Sequence, residues 1–393
     1  MIRGYVHQDF RPVADQLEKQ LGTPRAGGAA VCIYHHGECV VDAWGGARNQ
    51  GGEPWQSDTL AMSYSTTKGV VATLVLALVD QGLIDYDDPV AKYWPEFAQE
   101  GKERVMIRHL LSHQAGLHGT RDLVDHADRM LDWDFMTRRL AAARPAFPPG
   151  TRPGYHGLTF GWLVGELVRR VTAGTVNDAV RKLLVGPLAL DGAFIGAPVA
   201  VRPRLAELLR AETKPVSGAR SLSSTLGRAA WSVFGMDRSH LKDALLPHGS
   251  ADLYASTKLL DAEVPALNGF FTARSLARMY ATLAEGGQLE GTRVFSESTI
   301  RRATEIQSRK LDAVVGFPMR WRLGYHTVGT NRGILPNAFG HFGYGGSGAW
   351  ADPDRRLAVA MTLNRVAGTP FGDMRMARIG GVAARCAERR RST

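Results

Sequence analysis

The chain has 393 residues, of which 44% are apolar and 22% charged, and its 44 glycines and 19 prolines follow no collagen-like period. That composition excludes a disordered or fibrous chain, and the length points to two structural lobes or one large domain carrying an insertion. Three cysteines, Cys32, Cys39 and Cys386, are too few for a disulfide framework.

The formal net charge is +10, which bears on solubility and long-range attraction rather than on fold. Lys and Arg are scattered, and the densest run, Arg389-Arg390-Arg391, reads as a solvated tail. Neither a zinc finger nor an aromatic-basic RNA-binding signature is present, so no nucleic-acid partner is expected. Residues 1–20 carry six charged side chains and no apolar core, so no signal peptide is expected. The most apolar stretch, Val70 to Val79, is about half what a membrane span requires, and no membrane association is expected. The expected location is cytoplasmic.

In chain order, residues 29–45 (AAVCIYHHGECVVDAWG) form two short apolar runs around His36-Gly37-Glu38, the pattern of a β-hairpin. From Ser65 to Gln81 the spacing of Val70, Val71, Leu74, Val75, Leu78 and Val79 predicts a helix that is apolar over a wide face and therefore largely buried. Gly82 supplies its stop. Further helices are predicted over Thr159–Val171, Ser221–Leu246 and Ala273–Glu285. Residues 200–265, with mixed charge and Ser/Gly/Pro breaks, are expected to form a lid or insertion. Strand patterns return after residue 290. Arg320–His326 alternates, Gly348–Asp352 leads into the apolar run Leu357–Leu363 across Asp352-Pro353-Asp354, and Met374–Arg389 is helical. Strands at both ends with a helical middle predict an α/β protein in which a discontinuous sheet domain, residues 1–85 and 270–393, is interrupted by a mainly helical domain, 86–269, whose lid-like part lies at about 200–260. No repeat of 20–50 residues is present.

The sharpest chemical feature is Ser65-Thr66-Thr67-Lys68 at the start of the buried helix. Residues i and i+3 share a helical face, so Lys68 can hold its amine beside the Ser65 hydroxyl. A serine hydroxyl needs an adjacent base, and burial can lower a lysine pKa enough to supply one. The backbone N–H of Ser65 also lies near the positive end of the helix dipole, where an oxyanion would be stabilised.

Ser65-x-x-Lys68, the following GVVATLVLALVDQGLIDYDDPVAKYWPEF and then His109-Leu110-Leu111-Ser112-His113-Gln114-Ala115-Gly116-Leu117 resemble the serine β-lactamase and penicillin-binding-protein superfamily. Within it the likeness is to class C β-lactamases and family VIII carboxylesterases, over about residues 10 to 385. The resemblance implies a β-lactamase-like fold: an antiparallel sheet flanked by helices, with an all-helical insertion.

It also implies a second element, a tyrosine triplet whose match here is Tyr155-His156-Gly157, with Tyr155 partnering Lys68 as proton acceptor and donor. Gly157 stands where β-lactamases carry an asparagine. The third element, Lys-Thr-Gly in the family, is matched by His341-Phe342-Gly343, which would line the substrate. Histidine is mostly neutral at pH 7, so the demand for a substrate carboxylate is weakened. Both departures favour an ester over a β-lactam or a peptide carboxylate. By the same carry-over the N–H groups of Ser65 and Tyr344 would form the oxyanion hole, and Gly343, Gly345, Gly346 and Gly348 keep that strand narrow for the substrate.

Rival sites are weaker. Ser347 in Gly345-Gly346-Ser347-Gly348 is one residue short of the α/β-hydrolase elbow and is expected to be structural. His109 and His113 lack the glutamate of a zinc protease, and Cys32, His35, His36 and Cys39 in a hairpin face opposite sides. No metal and no cofactor are expected. The sequence therefore points to a serine hydrolase cleaving carboxylic esters of short to medium acyl chain through a Ser65 acyl-enzyme. The alternatives are a β-lactamase, a D-amino-acid peptidase or transpeptidase, or an acyltransferase on the same residues; a catalytically inactive scaffold or a nucleic-acid binder belongs to a different class. Oligomeric state is not encoded legibly.

Overall fold

The computed structural model describes residues 1–22, 27–210, 238–366 and 373–391. Seven antiparallel strands make the main sheet, in the spatial order Arg3–Val6, Glu38–Gly46, Gly28–His35, Leu357–Leu363, Gly348–Asp352, Gly333–Phe342 and His326–Thr330. The hairpin expected around His36-Gly37 is present, and its inner strand pairs with Leu357–Leu363 in the register His35 to Leu357 through Ala29 to Leu363. The sheet is thus closed by the two ends of the chain.

Residue size along these strands decides what packs where. In Leu357–Leu363, Leu357, Val359, Met361 and Leu363 point to one face and Ala358 and Ala360 to the other, as a period of two requires. The bulky face meets Phe10, just before the helix Arg11–Leu21, with Val13 and Leu17 of that helix and Ile379, Ala383 and Ala387 of the helix Arg375–Arg391. The alanine face lets the helix Ala273–Ala284 lie close against the centre of the sheet. Beyond it runs the helix Thr66–Asp80, buried without interruption from Thr66 to Leu78. Its β-branched residues lower intrinsic helix propensity, but each buried Val or Leu stabilises by about 1.5–3 kcal/mol, so packing decides the conformation.

The segment between the sheet strands is not wholly helical. Ala193–Ile195 pairs with Gly269–Phe271, which also pairs with Ala61–Met62, and Leu209–Arg210 pairs with Arg365–Val366. Helices Trp133–Ala142 and Thr159–Thr172 pack against each other within this segment. Of the predicted helix Ser221–Leu246 only Arg238–Leu245 falls within the described residues, and residues 211–237 of the expected lid lie outside them.

The expected strand Arg320–His326 requires correction. The strand runs His326–Thr330. Positive φ at Arg320 (51°) and Gly324 (86°) breaks extension before it, and the alternation of Trp321, Leu323 and Tyr325 reflects three buried side chains on an irregular segment. Gly324 is set against Ala72 of the Thr66–Asp80 helix, where a Cβ would collide. Among the described residues no helix is long and apolar enough to cross a membrane.

Candidate active site

Ser65 caps the Thr66–Asp80 helix and is only half-buried, whereas Lys68 one turn on is fully buried. Tyr64, just before it, has φ 47°, a left-handed conformation that costs a non-glycine residue about 1–3 kcal/mol. The bend is held by Thr67, whose N–H and hydroxyl both donate to the Tyr64 carbonyl, and by Ser63, whose N–H donates to Gly269. Tyr64 also meets the Tyr344 ring edge-on at 5.3 Å.

The Lys68 Nζ lies 3.0 Å from the Ser65 Oγ and 3.0 Å from the carbonyl oxygen of Ala266. Asn268 shapes the loop that presents that carbonyl, since its amide bonds Leu259, Ala262 and Val264. Burial alone drives the Lys68 amine well below the ordinary lysine range. It sits in the first turn of its helix, and the positive end of the dipole acts in the same direction. The Tyr155 hydroxyl donates to the Ser65 Oγ at 3.0 Å, so amine and phenol flank one oxygen. Burial pushes the Tyr155 phenol upward, the opposite shift from Lys68. Both effects favour the uncharged pair, amine and phenol.

The third segment is the turn between the strands Gly333–Phe342 and Gly348–Asp352, with the strand end before it. His341 pairs with Ala349 near the end of the strand Gly333–Phe342, and its ring lies 6.3 Å from that of Tyr155. Burial, with His326 and Lys68 nearby, holds its imidazole well below the usual range, so it is neutral. Gly343 is required sterically, because a Cβ there would collide with the Ser63 carbonyl. The close approach brings the turn 343–347 against the Ser65 loop. Gly345 and Gly346 adopt φ of 84° and 101°. Neither the N–H of Ser65 nor that of Tyr344 has an acceptor among the described residues, which leaves both free to take an oxyanion. Phe342 is half-buried, and its N–H donates to His326 Nε2.

Gly157 does not leave an open space. A Cβ there would strike Leu245, and Leu241, Leu245 and Met319 pack around Tyr155 with Ala244, Val314, Val315 and Trp321. The remaining sequence candidates lie apart or are engaged. Ser347 Oγ accepts from the Leu363 N–H, and His109 Nδ1 accepts from the Met106 N–H. His113 Nδ1 accepts from the His156 N–H. Cys32 and Cys39 have Sγ atoms 4.0 Å apart, while His35 packs on Phe10. Ala266, Asp312 and Trp321 lie beside these side chains and were not among the sequence candidates. Trp321 stacks on Tyr155 with centroids 5.5 Å apart and planes 7° apart, and no local motif marks any of the three.

The chain belongs to the beta-lactamase family, whose model matches residues 14–384. It is 40% identical over 350 residues to the esterase/beta-lactamase LipL of Mycobacterium tuberculosis, covering 87% of this chain and 78% of that protein. Among solved structures it is similar to a family VIII carboxylesterase, with a TM-score of 0.86 and 37% identity, over 98% of this chain and all of the other. A penicillin-binding-protein homologue from Caulobacter crescentus gives a TM-score of 0.83 at 35% identity, again over 98% of this chain and the whole of that one. The fold is β-lactamase-like, and the protein is a serine hydrolase of this family with esterases among its relatives.

Proposed function

We propose that the protein is a carboxylesterase that works through an acyl-enzyme on Ser65, with Lys68 and Tyr155 as its proton-transfer pair. The observation that carries this reading is the Ser65 Oγ held 3.0 Å from both the Lys68 amine and the Tyr155 hydroxyl, with the amine buried and its pKa pushed down by that burial.

The neutral amine takes the hydroxyl proton as Oγ bonds to the ester carbonyl carbon. The carbonyl oxygen gains the negative charge and is received by the N–H groups of Ser65 and Tyr344. When the intermediate collapses, the bond to the alcohol oxygen breaks, and Tyr155 protonates that oxygen while regaining a proton from the Lys68 ammonium. Water then attacks the acyl carbon, giving its proton to the same pair, and the acid leaves with Ser65 restored. Positioned proton transfer of this kind contributes about 10²–10⁴-fold.

Three features support esters over β-lactams and peptides. The neutral, buried His341 offers no fixed positive charge to a carboxylate. Gly157 offers no side-chain amide, and Leu245 fills the space above it. The apolar wall of Leu241, Leu245 and Met319 suits short to medium hydrocarbon acyl groups. Ser65→Ala is expected to lower kcat on p-nitrophenyl butyrate by about 10⁵–10⁶-fold, by the measure of other serine hydrolases. Near wild-type turnover by that variant would refute the mechanism. A panel from acetate to laurate esters, with nitrocefin alongside, tests the substrate class; nitrocefin hydrolysed faster than every ester would refute it.

A further inference from the structure

A tyrosine that must meet one serine oxygen has to be fixed at both its backbone and its ring, and Tyr155 lies on a loop. Its anchor comes from far along the chain. Asp312 is only 1% exposed, and four donors converge on its carboxylate. Oδ1 accepts from the N–H groups of Tyr155 at 3.0 Å, Val314 at 2.9 Å and Val315 at 3.0 Å. Oδ2 accepts from Trp321 Nε1 at 2.8 Å. Trp321 is itself 1% exposed, and its ring is the one stacked on Tyr155. One carboxylate therefore holds the tyrosine backbone directly and the tyrosine ring through the indole.

Burying a carboxylate is costly, and among the described residues no cation pairs with Asp312. Burial raises its pKa, and the four hydrogen bonds counter the rise. A turn at Val314 and Val315 alone would need only Oδ1. The second oxygen is used by the indole, and the indole stacks on Tyr155 of the proton-transfer pair.

We infer that Asp312 and Trp321 are positioning residues for the reaction, a clamp that keeps the Tyr155 hydroxyl within hydrogen-bond reach of Ser65. The inference rests on the Ser65–Lys68–Tyr155 mechanism proposed above. A misplacement of about 1 Å in such a group lowers rate by about 100-fold, so the clamp acts on turnover and not on substrate affinity.

The test is a double-mutant cycle in the full-length protein, read on p-nitrophenyl butyrate as kcat and KM with thermal unfolding in parallel. Asp312→Asn keeps an acceptor for the three backbone N–H groups but turns an N–H of the amide toward the Trp321 N–H. It is expected to lower kcat by about 10–100-fold with KM changed less than about twofold. Trp321→Phe keeps an aromatic ring without the donor and is expected to lower kcat several-fold, again with KM unchanged. In the Trp321→Phe background Asp312→Asn should cost little more, because the opposed donors are gone. A folded Asp312→Asn with wild-type kcat overturns the clamp, as does an equal loss in both backgrounds, which would mark a turn-building role only. If Asp312→Asn does not fold, wild-type kcat in Trp321→Phe overturns it. Ser65→Ala is run alongside: activity surviving there refutes the underlying mechanism, whereas an inactive Ser65→Ala beside a fully active Asp312→Asn refutes the clamp alone.

Discussion

Among the described residues Lys68 and Lys102 are both fully buried, and they are placed in opposite electrostatic settings. Lys102 donates to the carbonyls of Gln99 and Ala143, the latter capping the C-terminus of the helix Trp133–Ala142. The negative end of a helix dipole and two carbonyl acceptors favour an ammonium there. Burial still lowers its pKa, but Glu100 pulls it back. Lys68 sits in the first turn of its helix with one carbonyl, one hydroxyl and no carboxylate, and nothing offsets its burial. Each nitrogen also lies near an aromatic ring, Phe97 at 5.3 Å and Tyr155 at 5.1 Å. The difference teaches that burial by itself makes a lysine structural or basic according to which end of a helix it meets and what shares its hydrogen bonds.

Substitution of both lysines gives the widest separation. Lys68→Met is expected to lower kcat on a short acyl ester by about 10⁴-fold or more, while Lys102→Met keeps kcat within about twofold; similar losses in the two would collapse the contrast. The pH profile follows. If the neutral Lys68 amine is the base, kcat/KM rises with pH through a group that titrates well below the ordinary lysine value of 10.5, and falls on the acid side as the ammonium forms. A profile rising only near that ordinary value would show that burial does not make Lys68 a base.

The buried histidines carry a second signature. Burial lowers His156 to about 3 and His326 to about 4, and His118 is also lowered to about 4. These groups are neutral when folded and take up protons near pH 6.5 when unfolded. Stability is therefore complete above about pH 6.5 and is lost as pH falls toward their folded values, at about 1.4 kcal/mol per pH unit for each histidine. Urea unfolding between pH 7 and 5 should show a slope steeper than one such group gives, in the wild type and in both lysine variants. A flat dependence would mean that these imidazoles are solvated.

Smaller effects separate the two regions further. Gly343→Ala forces the turn away from the Ser63 carbonyl and should cost about 1–3 kcal/mol of stability, with kcat reduced because the Tyr344 N–H moves. Lys102→Met removes the donor to the Ala143 carbonyl and one of the two donors to the Gln99 carbonyl. It should cost about 1–3 kcal/mol by denaturant titration, with catalysis intact.

How much of this was legible in the sequence depends on distance along the chain. Ser65 and Lys68 are three residues apart on one helix, so spacing alone brings them together. The buried helix itself was plain from its apolar run. Tyr155 and the turn near Tyr344 could be placed only through the family resemblance, since nothing near them in sequence states their target. Asp312 was invisible: it meets Tyr155 across 157 residues, and an aspartate before Ala-Val-Val carries no motif. The segment Arg320–His326 misled because apolar Trp321, Leu323 and Tyr325 alternate with Arg322 and Gly324, which imitates a strand, while the whole of 321–326 is buried and positive φ at Arg320 and Gly324 bends it. The short strands Ala193–Ile195 and Leu209–Arg210 were missed because two or three residues give no period to detect.

The main sheet also sets a timetable. The strand Gly28–His35 is buried along its whole length, yet its partner Leu357–Leu363 is encoded more than 300 residues later. At about 5–20 residues per second, a ribosome leaves that edge unpaired for tens of seconds. An unpaired edge is a template for other chains, so the nascent strand is exposed to mispairing until its last partners emerge. In refolding, far-UV ellipticity should return before esterase activity, because the turn that carries Tyr344 reaches Ser65 only once the sheet has closed.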